Sequence, residues 1–269
     1  MITRLAPCPS YFAHAGHLRG LLLLSQQASR TPGSKIYLRF DDTGADTYLP
    51  QYYRSFLRLF RDYQIPLAGI IKASQRISRY HSVIRKLLKN KLAYLCQCKC
   101  NKDQAFRDDC KCVTKNLSWE ELCPERVVRL KSCRETDYVI LRYVDGKGYL
   151  PTLAFQSAVD DKDLSIDTLF RGRDLQSSEL RLREIYSKIP GTKTFPKCRY
   201  WGLITFYDSQ SGEEFPLSKR LKNSEQKMPG LAYLQRVYGR RRLKEFILSY
   251  GGTKNNIRLD LKRLRKIKP

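Results

Sequence analysis

The sequence of 269 residues lacks any long hydrophobic run. A helix that crosses a membrane needs about 18 apolar residues in succession, whereas the apolar run nearest the amino end extends only from Leu21 to Leu24. That run is also too short for the hydrophobic core of a signal peptide, and no cleavage site follows it. We therefore expect a cytoplasmic protein that has no membrane-spanning segment.

Acidic residues are scarce: 26 Asp and Glu stand against 51 Lys and Arg, a formal net charge of +25 at pH 7. Such an excess predicts a polyanionic partner, because bound cations release counterions from a charged polymer. Nucleic acid is the first candidate and an anionic membrane surface the second, while a charge that serves only solubility stays open. Hydrophobic residues at 42% and aromatics at 11% are typical of a globular chain.

Histidine is also rare, yet two of the three histidines, His14 and His17, lie three residues apart in PCPSYFAHAGHLRG. Gly16 could open a helix over residues 18–25, and a helix N-terminus offers unpaired N–H groups and a positive dipole end to a phosphate. Two imidazoles at that end could donate to phosphate oxygens. Two alternatives stay open: ordinary loop histidines, or a zinc pair for which Cys8 is the nearest extra ligand.

A second candidate phosphate-binding segment is EEFPLSKRLK, at residues 213–222. The ammonium of Lys219 could clamp a triphosphate from a loop. Taken alone, the segment is equally typical of a surface loop.

Cysteines cluster between Cys96 and Cys112. In a reducing compartment, disulfides are rare, and a cysteine cluster is better explained by a metal site. Two Cys-x-Cys pairs suit tetrahedral zinc. The four ligands we predict for a structural zinc are Cys96, Cys98, Cys110 and Cys112. Cys100 could substitute for one of them, and incidental cysteines are the alternative.

Hydrophobic periodicity predicts alternating strands and helices. The predicted strands are residues 35–40, 138–143 and 200–207, and the predicted helices are 51–63, 78–92, 178–189 and a basic stretch from 231 onward. Residues 96–133 show little periodicity and are interpreted as an insertion built around a metal. This alternation favours an α/β domain with a parallel sheet.

The histidine segment and the lysine segment, in this order, resemble the paired signatures of class I aminoacyl-tRNA synthetases. RLAPCPSYFAHAGH is similar, without a gap, to the opening of glutamyl-tRNA synthetases. Further similar blocks follow along almost the whole chain: LRFDDT, FQSAVDD, LFRGRDL and LKEFILSYGGTKNN. By this resemblance the chain is identified as a member of the glutamyl-tRNA synthetase family, similar to an archaeal-type catalytic domain without an anticodon-binding domain.

The resemblance implies a Rossmann-type class I catalytic domain with a zinc-bearing insertion that binds the tRNA acceptor end. It also implies a C-terminal helical region that contacts the tRNA stem. The implied boundaries are 1–90 for the first catalytic half, 91–150 for the insertion, 151–222 for the second half and 223–269 for the basic stem-contact region.

For ATP, the resemblance implies that His14 and His17 contact the phosphates while Gly16 leaves room for adenine. Lys219 would stabilise the pyrophosphate as the amino-acid carboxylate attacks the α-phosphate, with Mg²⁺ as the usual companion of ATP. The full implied ATP-binding set is Gly16, His14, His17, Leu217, Ser218 and Lys219.

For the amino acid, the resemblance implies that Arg4 pairs with the substrate side-chain carboxylate and that Asp41 receives the α-amino group. Arg171 matches a further arginine of the pocket. Four positions depart from the family pattern: Cys8 stands where serine is usual, Tyr11 replaces a glycine, Leu153 stands where many members have a tyrosine, and Leu175 replaces a histidine. The identity of the amino acid therefore depends on this pocket.

The expected function is ATP-dependent activation of glutamate to glutamyl-adenylate and its transfer to tRNA. Two alternatives stay open: glutamylation of a modified tRNA base, as in glutamyl-queuosine tRNA(Asp) synthetase, and a non-catalytic tRNA-binding subunit. A separate chain could supply an anticodon-binding domain in any of these cases.

Overall fold

The computed structural model describes residues 1–44, 46–97, 104–106, 110–115, 117–134, 136–207, 214–216 and 230–266. Within these ranges, no helix combines the length and the apolar character that spanning a membrane requires.

The first half of the chain alternates strands and helices. Its elements are β1 (Ile2–Leu5), α1 (Ala15–Ser29), β2 (Lys35–Phe40), α2 (Pro50–Asp62), β3 (Gly69–Lys72) and α3 (Ile77–Lys89). The three strands are parallel in the order β1-β2-β3. The prediction of a strand over 35–40 is confirmed, and the helices predicted at 51–63 and 78–92 are confirmed with ends shifted by one to three residues.

Local chemistry explains where α2 forms. Pro50 occupies the first helical turn, where a missing N–H costs nothing. Phe56, Leu59 and Phe60 recur at helical spacing and are buried. Gln64, just after the helix, has a positive φ of 54° and ends it.

The insertion is more regular than its sequence indicates. It forms a five-stranded antiparallel sheet of β4 (Ala93–Cys96), β5 (Gln104–Phe106), β6 (Val127–Leu130), β7 (Thr136–Val144) and β8 (Gly148–Pro151). β7 lies centrally and pairs with β5, β6 and β8. The strand predicted at 138–143 is confirmed as part of β7. The weak periodicity of residues 96–133 arises because the strands there are short and separated by long connections.

The second half returns to the parallel layer. Its elements are α4 (Leu153–Asp163), β9 (Thr168–Gly172), α5 (Glu179–Lys188) and β10 (Lys197–Trp201). β9 and β10 are parallel. The amide of Asp167 donates to the carbonyl of Ile2 at 3.0 Å, so β9 lies beside β1. The parallel sheet β1-β2-β3, with the parallel pair β9 and β10 beside β1, confirms the α/β class.

The strand predicted over 200–207 is wrong in its continuity. β10 ends at Trp201, and a separate strand, β11 (Ile204–Tyr207), follows Gly202. A Cβ on Gly202 would lie 1.8 Å from the carbonyl oxygen of Asn255. Only glycine allows this close approach of two backbone segments, and the approach breaks the strand.

The C-terminal part packs on the first half. It contains β12 (Glu214–Pro216), α6 (Leu231–Tyr238), α7 (Arg240–Leu248), β13 (Ile257–Arg258) and α8 (Leu261–Lys266). β11 pairs with β12 and with β13. Leu234, Phe246 and Leu264 are buried in the same hydrophobic core as the leucines of α1. A second core joins α3, α4 and α5 to the insertion sheet.

Candidate active site

The candidate site residues of the first half meet at one edge of the parallel sheet. The segment between β1 and α1 and the segment after β2 both leave the carboxyl ends of their strands. The amide of Asp41 donates to the carbonyl of Pro7 at 2.9 Å, which holds the two segments together. In open α/β sheets, this edge is where ligands bind.

The two histidines are built into the start of α1. This helix begins at Ala15, three residues before the predicted start, and His14 is its N-cap. Nδ1 of His14 accepts from the amide of Gly16 at 3.1 Å, and Nδ1 of His17 accepts from the amide of His14 at 3.2 Å. The ring centroids of the two histidines are 3.8 Å apart, and Phe56 packs edge-on against His17 at 4.9 Å.

Burial sets the charge of this pair. It lowers the pKa of His14 to about 4. Burial and the neighbouring His14 lower the pKa of His17 well below its usual value. Both rings are therefore neutral near pH 7. Because each Nδ1 accepts a hydrogen bond, each proton lies on Nε2. The helix N-terminus thus carries two neutral N–H donors that suit phosphate oxygens.

Asp41 is held by a buried arginine. Nη1 of Arg39 contacts the Asp41 carboxylate, and Arg39 is itself fully buried. Nε of Arg39 donates to Asp160 at 2.5 Å. Asp160 is also fully buried, and it accepts from Nε of Arg76 and from the hydroxyl of Tyr80, each at 2.6 Å. Asp41, the residue expected to receive the substrate amino group, is therefore the outer end of a buried chain of charges.

Arg4 lies at the same edge and is already paired with a protein carboxylate. Its Nε and Nη2 both contact Asp161, the latter at 2.9 Å. Asp161 is 1% exposed. The Nη1 of Arg4 makes no hydrogen bond in the described part of the chain. Because Asp161 occupies Nε and Nη2, the nitrogen of this guanidinium that is available to a ligand is Nη1.

Arg171 lies in β9 and has unused hydrogen-bonding capacity. Its Nη2 donates to the hydroxyl of Ser178 at 3.0 Å. Its Nη1 is buried and has no hydrogen-bond partner within the described ranges. A buried donor without a partner is costly unless a ligand completes it.

Two of the departures from the family pattern differ in burial, since Cys8 is half-buried and Leu153 is exposed. Cys8 Sγ is 3.4 Å from the hydroxyl of Ser10. Leu153, at the start of α4, is 54% exposed. One helical turn later, Gln156 donates to Thr43 and to the carbonyl of Pro151, each at 2.6 Å. α4 is thereby tied to the segment that follows β2.

Sequence reasoning missed the acids behind the site. Asp160 and Asp161 were visible as an adjacent acidic pair in FQSAVDD, and acids at buried positions of a helix require partners. Asp42 was also missed: it accepts from the amide and the hydroxyl of Ser74 and from the hydroxyl of Tyr53, all at 2.8 Å. The hydrogen-bond partners of these acids are distant in sequence. The adjacent acidic residues are therefore the only local sign of a buried network.

The cysteine cluster is partly described. The Sγ atoms of Cys96, Cys110 and Cys112 all lie within 4.8 Å of one another, and all three residues are buried. Cys96 Sγ and Cys110 Sγ are 3.6 Å apart. Tetrahedral zinc with Zn–S bonds of about 2.3 Å needs sulfurs roughly 3.8 Å apart, so the three thiols fit such a metal. Cys98 lies outside the described residues.

Three more predicted site residues, Leu217, Ser218 and Lys219, also lie outside the described residues. Within the described ranges, the cysteine trio is the one group of three or more potential metal ligands. The zinc alternative for the histidine pair therefore gains no support.

Comparison with known proteins agrees with this arrangement. Residues 1–227 match the family of class I tRNA synthetases (E and Q), catalytic domain. A glutamate–tRNA ligase of Archaeoglobus fulgidus is 28% identical over 98% of this chain and 54% of its own length. That of Methanosarcina mazei is 25% identical over 98% of this chain and 52% of its own length. That of Pyrococcus abyssi is 30% identical over 69% of this chain and 38% of its own length. The chain thus spans about half the length of the first two relatives.

Solved structures show the same fold. A glutamate–tRNA ligase from Elizabethkingia meningosepticum, solved with its amino acid, superposes with a TM-score of 0.62 at 19% identity, covering 80% of this chain and 57% of that one. A glutamate–tRNA synthetase from Elizabethkingia anophelis superposes with a TM-score of 0.67 at 16% identity, covering 98% of this chain and 69% of that one.

Proposed function

This chain belongs to the catalytic-domain family of class I tRNA synthetases (E and Q), and on that premise we propose that it activates glutamate with ATP and transfers the glutamyl group to a tRNA. The observation that carries the proposal is the neutral histidine pair at the N-terminus of α1. His14 and His17 present two Nε2–H donors at the ligand-binding edge of the sheet.

In the proposed activation, an oxygen of the glutamate α-carboxylate forms a bond to the α-phosphorus of ATP. The bond from that phosphorus to the bridging oxygen breaks, and pyrophosphate leaves with the electron pair. Such a displacement depends on positioning and on neutralising charge, not on a protein nucleophile. His14 and His17 would donate to phosphate oxygens, and Lys219 would neutralise the leaving pyrophosphate.

Mg²⁺ would accompany ATP mainly through the phosphates and water. The carboxylates after β2 are engaged within the protein, since Asp41 contacts Arg39 and Asp42 binds Ser74 and Tyr53. Mg²⁺ in nucleotide sites is usually held by few protein carboxylates and several phosphate or water oxygens.

Two guanidinium groups support glutamate as the amino acid. The Nη1 atoms of Arg4 and Arg171 have no hydrogen-bond partner among the described residues, and a carboxylate accepts from such groups with charge assistance. Asp41 would receive the α-amino group in the orientation that Arg39 imposes. Cys8 and Leu153 would line the pocket with weakly polar and apolar groups.

A structural zinc is the proposed role of Cys96, Cys98, Cys110 and Cys112. The mutual distances of the three described thiols support it. A closed site of four thiolates would stabilise the insertion outright. We assign to the insertion, residues 91–150, contact with the tRNA acceptor end, and to residues 223–269 contact with the tRNA stem.

Glutamate-dependent ATP–pyrophosphate exchange, measured with and without tRNA, tests the proposal. Exchange that requires tRNA supports a glutamyl-tRNA synthetase. Exchange without tRNA favours glutamylation of a modified tRNA base. No exchange with any amino acid would contradict an enzyme and leave a non-catalytic tRNA-binding subunit.

A matched pair of variants tests the role of the lysine segment. Lys219→Ala should abolish exchange and leave tRNA binding within twofold of the parent. Lys222→Ala, in the same segment, should keep both. Equal exchange by Lys219→Ala and the parent would show that the role assigned to Lys219 is wrong.

A further inference from the structure

The helix α2 has two opposite faces. Phe56 packs against the ring of His17 and is fully buried, so one face supports the candidate active site. At about 100° per residue, Arg54, Arg58 and Arg61 project roughly 140–160° away from Phe56. All three are exposed. The side of α2 that faces away from the site is therefore a row of arginines.

These arginines make few contacts with the described part of the protein. Within the described residues, Arg54 and Arg58 make no hydrogen bond, ion pair or ring contact. The side chain of Arg61 is 75% exposed, and in the described part of the chain its one ion-pair partner is Asp62, at 3.6 Å. Like charges four residues apart destabilise a helix by about 0.2–0.5 kcal/mol. Repulsion along the row thus opposes the stability of α2, and no carboxylate of the described residues offsets it at Arg54 or Arg58.

On two other helices, α5 and α3, arginines have partners within the protein. In α5, Arg183 pairs with Glu179 at 2.9 Å, and Arg181 lies over the ring of Tyr138 at 5.2 Å. In α3, Arg79 pairs with Asp163 at 2.6 Å, and Arg85 lies over the ring of Trp119 at 4.5 Å. Arginines of α3 and α5 thus have partners among the described residues, whereas Arg54 and Arg58 of α2 do not.

The row continues onto α7. Asp62 is 3% exposed and lies under two arginines, Arg61 and Arg240, the latter at 3.4 Å and 56% exposed. Gln235 of α6 also donates to the hydroxyl of Tyr63 at 3.4 Å. The end of α2 and the start of α7 are thereby fixed side by side. We call Arg54, Arg58, Arg61 and Arg240 the α2 arginine surface.

We propose that the α2 arginine surface binds the phosphodiester backbone of RNA. Guanidinium forks match phosphate oxygens, and several cations of one sign in a row suit a polymer of phosphates. The groove on α2 is shallow, about 220 Å³, and its lining is Arg54, Leu57, Arg58 and Arg61. It offers no aromatic side chain to a base and little apolar surface to a membrane.

The position of the α2 arginine surface favours a polymer of phosphates over a single nucleotide as its ligand. It lies on the side of α2 turned away from His17, so ATP held at the histidine pair does not reach it. This inference rests on the proposed function in one respect: the RNA that reaches both places would be the substrate tRNA. The contact is with backbone phosphates, so it positions the RNA without reading its sequence.

Charge reversal with a matched control tests the proposal. Arg54→Glu/Arg58→Glu should weaken binding of unfractionated tRNA at least tenfold and reduce the slope of log K against log salt by about 2, because each phosphate contact contributes roughly 0.9. Lys35→Glu/Lys197→Glu changes the net charge equally, at exposed amino ends of β2 and β10. It should weaken binding less than threefold.

A second variant and a second readout separate the outcomes. Arg54→Lys/Arg58→Lys should keep affinity within threefold, and all of these variants should keep the parent's folded circular dichroism spectrum. Equal losses in the α2 variant and its control would overturn the surface as a specific contact. A loss of binding to anionic phosphatidylserine vesicles, with tRNA binding unchanged, would overturn RNA as the occupant. Absence of exchange in the parent bears on the proposed function alone.

Discussion

The arginines behind the candidate active site and the arginines on the outer face of α2 place the same side chain in opposite settings. Arg39 is fully buried and bridges Asp160 and Asp41. Arg54 and Arg58 are exposed and, among the described residues, have no carboxylate partner. A buried guanidinium requires paired carboxylates, because an unpaired charge in the interior is very costly.

This difference separates a preformed site from an open surface. Asp160, Asp161 and Asp163 all project from α4 and receive arginines from β1, β2 and the start of α3. The arrangement orients Asp41 and Arg4 before any substrate binds, which lowers the cost of ordering them. Arg54 and Arg58 have no comparable partner among the described residues, so their side chains can change rotamer to meet an irregular ligand.

Among the buried residues of this comparison, substitution of Asp160 should cause the largest loss of stability. Asp160→Ala removes the acceptor of Arg39, Arg76 and Tyr80 together, and should lower the free energy of unfolding by about 3–5 kcal/mol. Asp163→Ala is the matched control on the same helix, since its carboxylate is 27% exposed. Exposed pairs contribute little, and its loss should be about 1 kcal/mol or less. Urea denaturation measures both.

A kinetic readout identifies Asp160 as a positioning residue. In Asp160→Asn, which keeps the shape of the side chain, Arg39 should release its fixed contact with Asp41. The KM for glutamate should then rise more than the KM for ATP. Equal losses of stability in Asp160→Ala and Asp163→Ala, or equal changes in the two KM values, would show that the buried network does not organise the amino-acid pocket.

The histidine pair adds a pH dependence to the buried side. Burial lowers the pKa of His14 to about 4 in the folded protein, against about 6.5 unfolded. Between these values the unfolded chain binds more protons, so stability falls as pH falls through that window. From pH 7.5 to 5, the loss from His14 should reach about 2 kcal/mol.

His14→Asn isolates this effect, because asparagine is also a good N-cap. The variant should lose less stability than the parent over the same pH range in urea titrations. The double variant Arg54→Ala/Arg58→Ala should keep the parent's pH slope, since arginine does not titrate there. An unchanged slope in His14→Asn would mean that His14 is not buried in its neutral form.

The same contrast explains what could be predicted from sequence. The strands at 35–40 and 138–143 and the helices near 51–63, 78–92 and 178–189 follow from local periodicity, and for them the prediction holds. The histidine pair was found because its spacing is local. The start of α1 was predicted too late because His14 was not recognised as an N-cap, a role usually filled by serine, threonine or aspartate.

The remainder depends on contacts between distant residues. Arg4 and Asp161 are 157 residues apart, and Arg39 and Asp160 are 121 apart. Neither pairing produces a periodic pattern in the sequence. The insertion sheet was missed for a related reason, since β4 and β6 are four residues long and pair across a long, cysteine-rich connection. Substrate roles given to Arg4 and Arg171 stay predictions.

The smallest expected change in the free energy of unfolding comes from the exposed arginines of α2. Arg54→Ala/Arg58→Ala should leave the free energy of unfolding unchanged or raise it by up to about 0.5 kcal/mol, because it removes like-charge repulsion and adds helix propensity. The change should fade in high salt, which screens exposed charges. Arg183→Ala, which removes the pair with Glu179 on α5, should instead cost about 0.3–0.5 kcal/mol. A loss above 1 kcal/mol in the α2 variant would mean that its arginines stabilise the fold, and the distinction between buried and open arginines would fail.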